Sequence, residues 1–166
     1  QLSYFPDTDA VKEIAFFGGS FTAIPRNTMI EYLSIAKKYK DANLIQEIRL
    51  STRPDCIDKE ILDILKEFGV NIIELGIQSM DDHVLFVNAR GHDSQSVRHA
   101  SILIKEYGFT LGHQIMPGLY QDSYEKIMDT VRQSIDIGPD IVRVYPTLIV
   151  KNTVLETLYE EGLYEP

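Results

Sequence analysis

Lys66-Glu67-Phe68-Gly69-Val70-Asn71-Ile72-Ile73-Glu74-Leu75-Gly76 is the stretch that decides the fold. Charged residues close a helix, Gly69 stands where helices commonly end in a left-handed turn, and an Ile-rich run follows at once. Lys105-Glu106-Tyr107-Gly108 repeats the junction, and Ile137-Gly138-Pro139-Asp140 does a similar job before another apolar run. Working outward, five such runs predict strands near 14–17, 47–50, 72–76, 110–116 and 141–145. The segments 28–40, 59–68, 95–107, 124–137 and 154–161 carry helical period between them. Ile30, Leu33 and Ala36 make one apolar stripe, and Ile61, Leu62, Leu65 and Phe68 another. Asp93 or Ser94, and Asp122 or Ser123, are the expected N-caps. A complete barrel of eight β/α units takes about 250 residues, so five units predict an incomplete (β/α) TIM-like barrel or an open parallel sheet, α/β in class. No linker or low-complexity segment interrupts 1–166, and one domain is expected.

Composition narrows the functional classes. A net charge of −9 argues against a surface that neutralises nucleic-acid phosphates, and no such patch is evident. The basic run Lys37-Lys38-Tyr39-Lys40 closes a helix, where cations suit the dipole. A single cysteine, Cys56, allows no intramolecular disulfide, and no Cys or His spacing suits a zinc site, so no metal ligand is assigned. No stretch approaches the roughly 18 apolar residues of a membrane span. The opening residues Gln1-Leu2-Ser3-Tyr4-Phe5-Pro6 lack a leader pattern. The expected location is cytoplasmic.

In either architecture, ligands bind beyond the carboxyl ends of the strands. Those ends are polar or glycine-rich here. Phe17-Gly18-Gly19-Ser20 permits close backbone approach or a tight turn. Ser51-Thr52-Arg53-Pro54-Asp55 offers Arg53 either as a fork for a carboxylate or phosphate, or as a partner of a neighbouring loop. Alternation on the third strand puts Glu74, Gly76 and Gln78 on one face. A carboxylate there needs a partner, Arg49 or Arg143, or else a polar cavity. Gln78 both donates and accepts, as ribose hydroxyls require. His113, by alternation, faces the helices as a packed, hydrogen-bonded residue, and His92 reads as a structural loop residue.

Taken together, six segments resemble the radical S-adenosylmethionine superfamily, especially the branch of the Elongator catalytic subunit and the oxygen-independent coproporphyrinogen III oxidases. They are Phe17-Gly18-Gly19-Ser20-Phe21-Thr22, Arg53-Pro54-Asp55, Glu74-Leu75-Gly76-Ile77-Gln78-Ser79, Asn88-Ala89-Arg90-Gly91-His92, Met116-Pro117-Gly118-Leu119 and Arg143-Val144-Tyr145-Pro146-Thr147. The resemblance implies that the backbone of Gly18, Gly19 and Ser20 holds the methionine amino group. It implies ribose contacts for Gln78 and, where many relatives have Glu, for Ser51. Arg90 resembles the Arg that pairs with the methionine carboxylate, although Asn88-Ala89-Arg90 has an Ala that the commoner Asn-Arg lacks. Gln114 stands at the position of an Asp in coproporphyrinogen oxidases, and Met116 and Pro146 fall where backbone groups meet adenine.

The family binds a [4Fe-4S] cluster through three cysteines placed before the Gly-Gly strand, and no residue upstream of Gly18 is Cys. The expectation is a longer natural protein that carries those cysteines, or a lineage that lost the cluster. The resemblance implies that the parent enzyme cleaves S-adenosylmethionine to a 5′-deoxyadenosyl radical. That radical abstracts hydrogen from a substrate, a tRNA wobble uridine or a porphyrin precursor among relatives, while the isolated segment is expected to be inactive. Two other readings stay open on sequence alone: a flavodoxin-like regulatory or interaction domain without catalysis, and an ordinary phosphate-binding barrel enzyme. Strand order separates the first, because a doubly wound sheet reverses direction.

Overall fold

The structure, a computed structural model, describes residues 10–166; the leader reading of residues 1–6 lies outside them. Five strands form one sheet: β1 (Glu13–Phe16), β2 (Glu47–Thr52), β3 (Ile72–Gln78), β4 (Thr110–Ile115) and β5 (Ile141–Val144). The spatial order is β1-β2-β3-β4-β5, and every pairing is parallel. That order excludes the doubly wound alternative and gives the expected incomplete barrel. Six helices connect or follow the strands: α1 (Arg26–Asp41), α2 (Lys59–Glu67), α3 (Asp82–Val87), α4 (Ser94–Glu106), α5 (Tyr124–Ile137) and α6 (Val154–Glu160).

The two faces of the sheet divide the residues as period-2 alternation requires. Ile48 and Leu50 of β2, Ile73, Leu75 and Ile77 of β3, and Leu111 and Ile115 of β4 point to the helices. There they meet Leu33, Leu62, Leu65, Val97, Ala100 and Ile104 in one apolar core. Each such aliphatic side chain contributes about 1.5 to 3 kcal/mol by leaving water. The opposite face pairs Ser51 with Glu74, Glu74 with Gly112, and Gln114 with Arg143 across adjacent strands. It is the polar, concave side.

Helix starts follow local chemistry. Asp58, Asp81, Asp93, Ser123 and Thr153 each accept a hydrogen bond from a backbone N–H of the first turn, which resolves the two open capping choices to Asp93 and Ser123. Helix α3 is an element for which the sequence pattern makes no provision. Six residues are too short for a periodic stripe, and the only local signal is the cap Asp81. Lys40, from the basic run, donates to the Gly69 carbonyl and to Asn71 Oδ1, so this lysine ties α1 to the entrance of β3. Among the described residues no helix is long and apolar enough to cross a membrane.

His113 lies on the helix-facing side, fully buried, as alternation predicts. Ser101 spends its hydroxyl proton on the Val97 carbonyl at 2.7 Å, which leaves its oxygen to accept from His113 Nε2 at 3.0 Å. Nδ1 is then the acceptor, for the Ser134 hydroxyl at 2.8 Å. Burial, followed by the charge of Lys105, depresses the His113 pKa to about 4.

Candidate functional site

The carboxyl ends of the strands open onto a cleft of about 370 Å³. Its first wall is the turn after β1. Gly18 has φ +103°, a conformation open to glycine at little cost, and a side chain at either Gly18 or Gly19 would point into open space. The turn is fixed by a relay of hydroxyls. Thr22 donates to the Cys56 carbonyl at 2.8 Å, Thr52 to Thr22, and Ser20 to Thr52 at 2.9 Å, while Ser20 Oγ accepts from the Arg53 N–H at 2.9 Å. The Ser20 side chain is thereby spent on architecture. What the turn offers a ligand is its backbone.

The second wall is the exit of β3. The sheet register slips between Leu75 and Gln78, and Gln78 takes φ +63°. This bulge re-aims its side chain over Gly76, where a Cβ would lie 2.7 Å from Gln78 Nε2. Gln78 is 7% exposed, yet its Oε1 is buried without a partner. Beyond it, α3 and its following loop bring Arg90 into the cleft. Asn88 bonds to Val84 and Tyr120, joining this loop to the one after β4, and His92 sits with Nε2 3.1 Å from the Ile77 carbonyl and Nδ1 3.2 Å from that of Arg90. His92 therefore serves the loop, as read from sequence. Arg90 has a buried, unpartnered Nε, and burial, reinforced by the nearby Arg53 charge, holds its pKa below the ordinary value.

The floor is an ionic network on the concave face. Glu74 is completely buried and is met by two arginines, Arg49 through Nη1 and Arg143 through Nε at 3.0 Å; the sequence had offered these as alternatives. Arg49 also reaches Glu13, giving an alternating chain of two anions and two cations. Gln114 Nε2 donates to Glu74 at 2.8 Å and to Ser51 Oγ at 2.9 Å, so its amide oxygen is the end left for the cleft. Burial alone would raise the Glu74 pKa; the bonds from Gln114 and Arg49 and the Arg143 charge outweigh it, and the group stays below its usual range. Gly112 makes room, since a Cβ there would stand 2.7 Å from Glu74 Cγ. The Arg143 guanidinium lies 6.0 Å from the Phe17 ring, so β5 reaches toward the end of β1 across the mouth.

Seven of the nine residues assigned from sequence line this one cleft: Gly18, Gly19, Ser20, Ser51, Gln78, Arg90 and Gln114. Met116 and Pro146 are not in its lining. The Met116 N–H is taken by the Gln78 carbonyl at 2.9 Å, which leaves the Met116 carbonyl for other contacts. Phe17, Thr52, Arg53, Gly76 and Tyr145 also line the cleft. Arg53 carried the only ligand signal among them, as an Arg at a strand end.

A family model described as the radical SAM superfamily matches residues 2–133. A tRNA uridine(34) acetyltransferase of Dehalococcoides mccartyi is 30% identical over 179 residues, spanning 96% of this chain and 39% of that protein. Human Elongator complex protein 3 is 29% identical over 92% of this chain and 32% of its own length. Among solved structures, Methanocaldococcus infernus Elp3 superposes with a TM-score of 0.83 at 24% identity, over 93% of this chain and 41% of that one. The coproporphyrinogen III oxidase HemN of Escherichia coli gives 0.71 at 20% identity, over 84% and 32%. These two likenesses show the fold. The chain spans less than half the length of each of these relatives. Matched over most of its own length by the family model, the chain belongs to the radical S-adenosylmethionine superfamily.

Proposed function

We propose that the concave face binds S-adenosylmethionine and that the 166 residues are one domain of a longer radical enzyme. The observation that carries this reading is a pair of buried polar atoms without partners in the same cleft, the acceptor Gln78 Oε1 and the donor Arg90 Nε. Buried polar groups are rarely left unpaired, and a ligand with hydroxyls at one end and a carboxylate at the other satisfies both. Gln78, with Ser51 and Gln114 beside it, would hold the ribose, the Gly18–Gly19 backbone the amino group, and Arg90 the carboxylate. Met116 and Pro146 would meet the adenine at the rim. Bound S-adenosylmethionine would supply radical chemistry, and this chain would position it and exclude water.

The residues present do not fit the cluster itself. One cysteine cannot furnish three thiolates, and among the described residues no group of three or more His, Cys, Asp or Glu is arranged to hold a metal. Cluster ligands would then come from elsewhere in the parent protein, the alternative being a lineage that lost the cluster. The tRNA uridine(34) acetyltransferases among the relatives favour uridine 34 of tRNA as the substrate over a porphyrin precursor. RNA contacts would lie outside this acidic segment, whose place of work is the cytoplasm.

The test is a titration of the isotopically labelled chain with S-adenosylmethionine, read by amide chemical shifts. Saturable shifts are expected at Gly18, Gly19, Gln78 and Arg90. Gln78→Ala should weaken binding several-fold, for hydrogen bonds worth about 0.5 to 1.5 kcal/mol each, and Arg90→Ala at least about tenfold, for a charged contact of roughly 1.5 to 3 kcal/mol. Absence of saturable shifts on the concave face would refute the proposal. Unchanged affinity in both variants would remove these side chains from the site.

Gly76→Ala probes the same site without removing a ligand-facing polar atom. The new Cβ collides only with the movable Gln78 amide, so stability should change little while affinity falls to that of Gln78→Ala. Thermal melts alongside the titration separate the two effects. Wild-type affinity in this variant would show that the Gln78 position over Gly76 is irrelevant to binding.

A further inference from the structure

Resting on the reading above, we propose that Arg53 is a second carboxylate-binding residue of the cleft, and that it makes the site selective for ligands with an intact α-amino-acid end. The first observation is donor accounting. A guanidinium has five N–H donors. Arg53 uses Nε and Nη2 on the two oxygens of Asp55, and Nη1 has no partner among the described residues. Asp55 sits two residues beyond, in a single 3₁₀ turn opened by Pro54, and so locks the fork without consuming it.

The second observation is where the fork lies. Gly91 has φ +76°, and a Cβ there would meet Arg53 Cζ, Nη1 and Nη2 at 3.6 Å each. Three equal distances mean that the guanidinium lies face-on to Gly91, and Arg53 and Arg90 both line the cleft. Arg90, the adjoining residue in sequence, carries no carboxylate partner among the described residues. The rim thus gathers two arginines and one aspartate, which pairs with Arg53 alone, in a protein whose net charge is −9. An anion between the two arginines would offset their mutual repulsion.

The third observation identifies which anion. The Arg53 backbone N–H is bonded to Ser20 Oγ, so Arg53 is anchored to the very turn whose backbone would hold an amino group. In an α-amino acid the amino and carboxylate groups share one carbon. A carboxylate site must therefore adjoin the amino site, and Arg53 is placed there from the turn side while Arg90 approaches from the α3 side. Asp55 acts through Arg53 and is a positioning residue.

The experiment is amide-shift titration of the labelled chain with two probes, S-adenosylmethionine and its decarboxylated analogue. Arg53→Gln should weaken the first by about tenfold, the size of one charge-assisted contact, and leave the second unchanged or slightly tighter. Because Arg53→Gln also frees the Asp55 carboxylate, the double variant Arg53→Gln/Asp55→Asn is measured too, and it should keep the loss. Equal weakening toward both probes, no weakening toward either, or recovery of wild-type affinity in the double variant would each overturn the proposal. Failure of the wild-type chain to bind S-adenosylmethionine at all would instead overturn the functional reading on which it rests.

Discussion

Glu74→Ala is expected to lower the unfolding free energy by roughly 3 kcal/mol, the lower end of what breaking a buried ion pair costs. The carboxylate is completely buried, whereas Arg49 is 11% and Arg143 39% exposed, so the loss falls mainly on Arg49. Arg49 keeps Glu13, and Arg143 has water within reach, which is why the effect stays near that lower end. Gln114 loses one acceptor as well. Urea unfolding at pH 7.5 measures the change; a difference below about 1 kcal/mol would mean that the network is neutral in this fold. A triple variant, Glu74→Leu with Arg49→Met and Arg143→Met, should recover much of the loss, because a buried ionic group is costly to break but not to replace whole. The Glu74 pKa is depressed in the folded state, so its contribution is present above the ordinary carboxylate value and is lost as pH falls through the lower folded one.

The same residue shows how far sequence reasoning reaches. Period-2 alternation places Glu74 on the concave face, and physical chemistry demands a partner; both hold. It does not choose between Arg49 and Arg143, because that choice depends on how far the sheet curls, a property of all five strands together. In the structure both arginines arrive. Strand positions are legible to within a few residues since each depends on a local apolar run, the prediction of 110–116 standing against Thr110–Ile115. Helix α3 is not, being stabilised by the cap of Asp81 and by Val84 and Leu85 buried beneath it. Gathering seven assigned residues into one cleft follows from parallel strands whose ends share a rim. Arg53 shows the limit: its pairing with Asp55 is local to its own loop, whereas its rest on Gly91 is a contact across nearly forty residues of sequence.

Between pH 6.5 and 4 the chain is expected to lose about 3 kcal/mol of stability through His113 alone. The imidazole is fully buried, held neutral between two serines, with its pKa depressed to about 4. Protonation at Nδ1 would turn the Ser134 hydroxyl from donor to acceptor, taking away the partner of its proton, and would put a charge in the apolar layer between β4 and the helices α4 and α5. Above pH 6.5 the residue is neutral whether folded or unfolded, and its contribution is complete. As pH falls toward 4, the unfolded chain binds a proton that the folded chain refuses, so stability drops with decreasing pH across that window and levels off below it. Other groups titrate there too, which makes the informative quantity a difference. His113→Gln, which cannot titrate, should be less stable than wild type at pH 7.5, and the gap should close steadily toward pH 4. Chemical denaturation at half-unit pH intervals would reveal it. Parallel stability curves for the two proteins would mean that His113 takes up its proton as readily folded as unfolded, and that the serine pair accommodates the charged ring.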